Sequence, residues 1–157
     1  MKKHELTDDT ITVGGRILHR IKALKSFSDV EEGDLGGYVE KEDNLNQSGN
    51  AWVYGNARVS ENAQVYGNAR VYGNARVYGD AWVSGENDYT TAKGFGREYR
   101  TTTFFRLKDG GIGVRCGCFY GTLDEFRKKV KETHKESKLG KEYLMLADLM
   151  EYKFKNE

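Results

Sequence analysis

The sequence contains no proline among its 157 residues, and it has only two cysteines and three histidines. Cys116 and Cys118 are separated by one residue, so they cannot form the framework of a disulfide-rich secreted domain. No apolar run approaches the roughly 18 residues that a membrane-spanning helix needs, so we expect no membrane partner. Twenty-five basic and 24 acidic residues leave a net charge of +1, which predicts no nucleic acid polymer as partner. These absences favour a cytoplasmic protein.

The middle of the sequence contains a six-residue repeat. Valine recurs at every sixth position, and alanine stands two residues before each valine. The six valines are Val53, Val59, Val65, Val71, Val77 and Val83. This period fits neither an α-helix nor a strand with alternating faces, but it fits a coil with three flat sides and about 18 residues per turn. Gly and Asn before most alanines suit the positive φ that sharp corners need.

The length of the turn predicts which side chains stack on the outside of the coil. The stacked pairs are expected to be Trp52 with Arg70, Arg58 with Arg76, and Gln64 with Trp82. The valines should point inward, where β-branched side chains pack well, and each backbone segment should pair with the turns above and below it. An amphipathic β-meander is the alternative interpretation.

The repeat over residues 47–86 resembles that of the hexapeptide-repeat superfamily, whose fold is a left-handed parallel β-helix. The lead-in Gly33-Asp-Leu-Gly-Gly-Tyr-Val39 and the segment Gly117-Cys-Phe-Tyr-Gly-Thr-Leu-Asp-Glu-Phe126 extend the likeness to hexapeptide-repeat proteins commonly encoded by phages and prophages. The resemblance implies a phage-related origin and a parallel homotrimer. That family has no settled activity, so the resemblance transfers no catalytic residue.

The segments on either side of the repeat predict two further parts. Residues 1–46 should form an N-terminal β cap with a hairpin that turns at Gly14-Gly15, and Val39, Leu45 and Ala51 already follow the six-residue step.

Residues 87–157 should form a C-terminal α/β module. Its strands are expected at 98–107 and 112–120, and its helices near 123–135 and beyond Gly140. Thr122 and Glu125 have the spacing of a capping box. The predicted fold class is mainly β: a short left-handed parallel β-helix between an N-terminal β-hairpin cap and a C-terminal ββαα module.

No recognisable set of catalytic or metal-binding residues is present. The histidines are His4, His19 and His134, and none lies in the repeats, where a hexapeptide-repeat acyltransferase would need its general base. Cys116 and Cys118 should face one side of a strand, and with His134 they give only a partial zinc site. Two buried, reduced thiols are the favoured interpretation. We therefore expect no catalytic residue, no metal and no cofactor.

Aromatic and arginine side chains remain as candidates for function. Rings stack on bases and guanidinium groups hold phosphates, which favours a non-enzymatic, trimeric binding protein with a nucleotide-derived small molecule between its subunits. Its most specific form is a phage counter-defence protein that sequesters a nucleotide-derived immune signal. The candidate ligand-binding residues are Trp52, Arg70, Trp82, Arg100, Arg106 and Arg115. The alternatives are a structural module that binds a host or virion protein, and a hexapeptide-repeat acyltransferase.

Overall fold

The computed structural model describes residues 1–155. The chain begins with an antiparallel hairpin of β1 (His4–Val13) and β2 (Arg16–Ala23). Gly14 and Gly15 form its turn with φ of 57° and 80°, a region that glycine enters without a steric penalty. The hairpin that the sequence predicts at Gly14-Gly15 is therefore confirmed. Strand β3 (Leu35–Val39) continues the same sheet on the other side of β2.

The repeat forms a β-solenoid with six two-residue strands. These are β4 (Trp52–Val53), β5 (Arg58–Val59), β6 (Gln64–Val65), β7 (Arg70–Val71), β8 (Arg76–Val77) and β9 (Trp82–Val83). Each strand pairs in parallel with the strand one turn away, and the pairs join Trp52 to Arg70, Arg58 to Arg76, and Gln64 to Trp82. All six repeat valines are buried. The predicted stacking is confirmed and the β-meander is wrong, because every pair is parallel; the handedness of the coil stays a prediction.

The first turn of the solenoid is longer than the second. Val39 pairs with Val59 and Leu45 with Val65, a separation of 20 positions in both cases, whereas Trp52 pairs with Arg70 at 18. The two extra positions lie between Leu45 and Trp52. The expectation that Leu45 and Ala51 keep an unbroken six-residue step is therefore wrong at this point.

Both ends of the solenoid are closed by other parts of the chain. At the first turn, the buried Lys3 ammonium donates to the Ala51 carbonyl oxygen at 2.7 Å. At the last turn, the Tyr89 hydroxyl donates to the Arg70 carbonyl oxygen at 2.6 Å. The Arg76 backbone N–H donates to Thr103 Oγ1 at 3.0 Å. These contacts use backbone groups that an open end would leave unpaired.

The C-terminal part consists of a four-stranded antiparallel sheet and two helices. The elements are β10 (Tyr89–Phe95), β11 (Arg100–Arg106), β12 (Ile112–Cys116), β13 (Phe119–Thr122), α1 (Leu123–His134) and α2 (Lys138–Lys153). The predicted ββαα order is incomplete, since the structure has four strands. The expected strand 112–120 is split because Gly117, with φ of 57°, and Cys118 form a tight turn. The α1 capping box is confirmed, with Glu125 N–H donating to Thr122 Oγ1 at 3.2 Å.

The C-terminal sheet separates two buried apolar clusters. Alternate residues of β11 point to opposite faces, as strand geometry requires. Phe105 belongs to the solenoid cluster, together with Val77 and Tyr89. Phe104 belongs to the cluster that includes Phe126 on α1. The sheet therefore has a coil face and a helix face, and each carries a distinct set of polar side chains.

Candidate functional site

A pocket of about 260 Å³ opens on the helix face of the C-terminal sheet, and we call it the helix-face pocket. Its apolar lining comes from Phe95, Phe119, Phe126, Val130 and Tyr143. Its charged or polar lining comes from Arg97, Glu98, Arg100, Cys116, Lys129 and His134. A concave apolar site with a few convergent polar groups is the usual form of a small-molecule pocket.

The strands and the helices fix the aromatic rings of this pocket. The Phe126 ring lies 5.7 Å from the Phe119 ring and 5.6 Å from the Tyr143 ring, which it meets nearly edge-on at 86°. The His134 ring lies 5.7 Å from Tyr143. One edge-to-face contact and two tilted contacts hold these rings in place beside the pocket.

A short chain of polar contacts runs along one wall of the pocket. Thr102 Oγ1 donates to Cys116 Sγ at 3.3 Å, and Cys116 Sγ donates to the Tyr143 hydroxyl oxygen at 3.7 Å. Burial, followed by the proximity of Cys116, raises the pKa of Tyr143 well above its ordinary value. The Tyr143 hydroxyl therefore stays protonated at neutral pH and is able to donate a hydrogen bond.

The rim of the pocket is mainly cationic. Arg100 pairs with Glu98, and its Nε donates to the carboxylate at 2.9 Å. Among residues 1–155, no carboxylate lies within 4.0 Å of the charged groups of Arg97 or Lys129. An apolar, ring-lined interior with a cationic rim suits a flat ligand that carries negative charge at one end.

The structure corrects the expectation that Trp52 presents its ring to a ligand. The Trp52 side chain is only 1% exposed, and the Phe27 ring packs against it edge-on at 5.4 Å. The loop after β2 covers this side of the first turn, so Trp52 is part of the core. Arg70, stacked below Trp52, is exposed but contacts Ser28 Oγ at 3.3 Å.

Arg106 also has a structural role in place of the expected contact with a ligand. Its Nε donates to Asp88 at 2.9 Å and its Nη1 to the Phe154 carbonyl oxygen at 2.8 Å. Trp82 is 38% exposed, with the Lys108 ammonium 5.4 Å from its ring. Neither Arg106 nor Trp82 lines the helix-face pocket.

The six candidate residues do not come together within one chain. Arg100 lies at the helix-face pocket, whereas Arg115 points to the coil face, where its guanidinium lies 4.5 Å from the centre of the Tyr78 ring. The aromatic residues of the pocket were not predicted as site residues, because aromatic side chains on strands and helices are also typical of an ordinary core. The capping box at Thr122 correctly predicted the start of α1, but it does not indicate that Phe126 and Val130 border a pocket.

The expectation that Cys116 and Cys118 face one side of a strand is wrong. β12 ends at Cys116, and Cys118 lies in the exposed turn that follows. Within the described part of the chain, no group of three histidine, cysteine or acidic side chains is placed to hold a metal ion. No helix among residues 1–155 is long and apolar enough to cross a membrane.

Two comparisons with known proteins found partial matches to this chain. Residues 51–67, 63–73 and 69–85 match a family described as the YdcK β-solenoid repeat. A segment of 38 residues is 42% identical to a protein of Escherichia coli (strain K12) named "Uncharacterized acetyltransferase YdcK". The match covers 24% of this chain and 12% of that protein. The central part of the chain is thus a repeat β-solenoid.

Proposed function

We propose that this protein is a non-enzymatic binding protein that holds a nucleotide-derived small molecule in the helix-face pocket. The observation that carries the proposal is the combination of a ring-lined apolar interior with the cationic rim of Arg97, Arg100 and Lys129. Aromatic rings stack on bases, and guanidinium groups bind phosphate oxygens with charge-assisted hydrogen bonds.

The size of the pocket limits how such a ligand is placed. Pockets that enclose a whole drug-sized ligand have volumes of about 300 to 1,000 Å³. At about 260 Å³ the helix-face pocket is smaller, so it suits a base and leaves the sugar and phosphates at the rim. The Tyr143 hydroxyl then faces the edge of the base, and Arg100 and Lys129 face the phosphates.

Calorimetry with a panel of cyclic and ADP-ribose-type nucleotides tests this proposal. We expect Arg100→Gln to weaken the binding about tenfold, because a hydrogen bond to a charged group contributes about 1.5 to 3 kcal/mol. Lys128→Gln is the control, since it removes the same charge from an exposed position of α1 outside the pocket. The proposal fails if no nucleotide releases or absorbs heat, or if both variants bind like the parent protein.

The biological form of the proposal is the capture of a nucleotide-derived immune signal by a phage-type, left-handed hexapeptide-repeat protein that assembles as a homotrimer. Exposed aromatic side chains on the sides of the solenoid, including Tyr72 at 54%, support self-association. We expect sedimentation equilibrium to give three times the chain mass of 17.8 kDa. A monomer at all concentrations tested would exclude pockets between subunits while leaving the helix-face pocket in place.

Acetyl transfer is the second candidate, because the E. coli protein that is similar over 38 residues is named an acetyltransferase. The residues that match the repeat family lie within 51–85, where the valines and alanines are buried. Consumption of acetyl-coenzyme A by the purified protein would support acetyl transfer.

A third possibility is a module that binds a host or virion protein. It predicts that a pull-down retains one specific protein and that calorimetry with nucleotides shows no heat of binding.

A further inference from the structure

A second group of arginines lies where the solenoid meets the coil face of the C-terminal sheet. Arg58 and Arg76 stack in register on β5 and β8, and Arg115 projects from β12. Arg115 is the register partner of Thr103, whose hydroxyl accepts the Arg76 backbone N–H at 3.0 Å. Together with Ser60 and Tyr78 we call this group the arginine cleft.

The arginines of the cleft form no salt bridge with any residue that the structure describes. Among residues 1–155, no carboxylate lies within 4.0 Å of the guanidinium groups of Arg58, Arg76 or Arg115. Glu61 follows Ser60 directly, but its carboxylate accepts the Gly79 N–H at 3.0 Å and pairs with Arg16 at 3.4 Å.

The like charges in the cleft act on one another. Burial lowers the pKa of Arg76 below its usual value, and the neighbouring charge of Arg58 lowers it further. Arg115 and Arg100 also lower the pKa of Arg76, whereas Tyr78 raises it. Neighbouring positive charges repel one another, so this arrangement of arginines opposes folding unless an anion offsets the repulsion.

The cleft also contains polar atoms without partners. Five buried side-chain atoms of residues 1–155 make no hydrogen bond, and three of them are Ser60 Oγ, Tyr78 Oη and Arg115 Nε. Ser60 is 2% exposed and Tyr78 7%. The two residues hold equivalent positions in successive turns, and the Arg115 guanidinium lies over the Tyr78 ring at 4.5 Å. Buried polar atoms are rarely left unpaired, and those that are point to a water, an ion or a ligand.

A single bound anion accounts for both the uncompensated positive charge and the unpaired polar atoms. We propose that the arginine cleft binds a tetrahedral oxyanion of the phosphate class. Its oxygens accept hydrogen bonds from the Ser60 and Tyr78 hydroxyls and from Arg115, while its charge offsets that of Arg58 and Arg76. Water is able to satisfy the hydroxyls, but only an anion also removes the repulsion between the arginines.

A groove beside the cleft leaves room for a larger ligand. It has a volume of about 270 Å³ and is bordered by Arg58 and Arg76, with Asn56, Asn74 and Tyr38 as further lining residues. The bound group is therefore either free phosphate or the phosphate end of a larger molecule. The cleft and the helix-face pocket lie on opposite faces of the sheet, so the two proposals stand or fall separately.

Titration calorimetry with inorganic phosphate, with chloride keeping the ionic strength constant, tests the site. We expect binding to the parent protein and a loss of about tenfold in affinity in Arg115→Gln. Arg58→Gln should also lower the affinity for phosphate. Because the Arg58 side chain is only half-buried, this variant can be tested even if Arg115→Gln does not fold. Lys128→Gln, which removes the same charge at an exposed position of α1 outside both candidate sites, should leave phosphate affinity unchanged.

A simple phosphate monoester is the second titrant. If it binds at least as tightly as inorganic phosphate, the ligand is the phosphate end of a larger molecule. If only inorganic phosphate binds, the ligand is the free ion. The site is refuted if the parent protein binds neither, or if Arg58→Gln and Arg115→Gln both fold and bind phosphate like the parent.

The substitution Tyr78→Phe tests whether the Tyr78 hydroxyl binds the anion or only stabilises the fold. The Tyr78 hydroxyl has no hydrogen-bond partner among residues 1–155, so its removal should leave the urea midpoint without phosphate unchanged or raised. The increase in the midpoint on adding phosphate should become smaller than in the parent protein. A lowered midpoint without phosphate, together with an unchanged response to phosphate, would show that the hydroxyl is structural and would contradict the proposal.

Discussion

Val65→Asp is expected to leave the chain unfolded. Val65 is fully buried, paired with Leu45 on one side and Val83 on the other in the stack of the solenoid. A carboxylate at this position has no cationic partner, and burying an unpaired charge costs several kcal/mol. Because domains of this size are stable by only about 5 to 15 kcal/mol, one such substitution removes much or all of the stability.

The neighbouring residue provides the control. Gln64 lies on the same strand but is exposed, because successive side chains of a strand point to opposite sides. Gln64→Asp should change the free energy of unfolding by no more than about 0.5 kcal/mol. Far-UV circular dichroism and urea titration of both variants make the comparison. Equal midpoints would mean that the repeat valines do not form the core.

The stacking of the solenoid was predictable from the sequence because one structural constraint recurs at a fixed spacing. A buried valine every sixth residue fixes which residues are one turn apart, and the pairs Trp52–Arg70 and Gln64–Trp82 follow from that alone. The six-residue spacing does not hold in the first turn, which contains two extra residues before Trp52. No regular spacing in the sequence shows where these two residues are inserted.

What covers the solenoid was not predictable in the same way. Trp52 and Trp82 occupy equivalent outward positions in the repeat, yet Trp52 is buried and Trp82 is partly exposed. The difference comes from Phe27, which lies 25 positions before Trp52 and reaches it only through the fold of the loop after β2. Contacts between distant segments of this kind are not encoded in a local pattern.

The positions of the candidate site residues also depend on contacts that could not be predicted from the sequence. Arg100 and Arg115 both belong to the C-terminal sheet, and they face opposite sides because Thr102 pairs with Cys116 while Thr103 pairs with Arg115. That register was not available from the sequence, so the two arginines were grouped together. Arg58 and Arg76 were placed in one stack from the repeat, but their approach to Arg115 depends on how the sheet packs on the last turn.

Phe105→Ala is expected to be the second most damaging substitution. Phe105 is fully buried in the solenoid cluster, and its ring stacks on Tyr120 at 6.4 Å and 9°. Gly113 lies directly against the ring, where an added Cβ would come within 2.4 Å of it. Truncating a buried phenylalanine costs about 3 to 5 kcal/mol, and the midpoint of urea unfolding should fall accordingly.

Phe104→Ala makes a matched comparison on the opposite face of the same strand. Phe104 is equally buried but packs edge-on against Phe126 at 6.2 Å, beside the helix-face pocket. Both variants should lose similar stability, yet their effects on binding should differ. Phe105 stacks on Tyr120, the register partner of Arg115, so Phe105→Ala should weaken phosphate binding, whereas Phe104→Ala should weaken nucleotide binding. If each variant weakened phosphate binding and nucleotide binding equally, the sheet would not separate two independent sites.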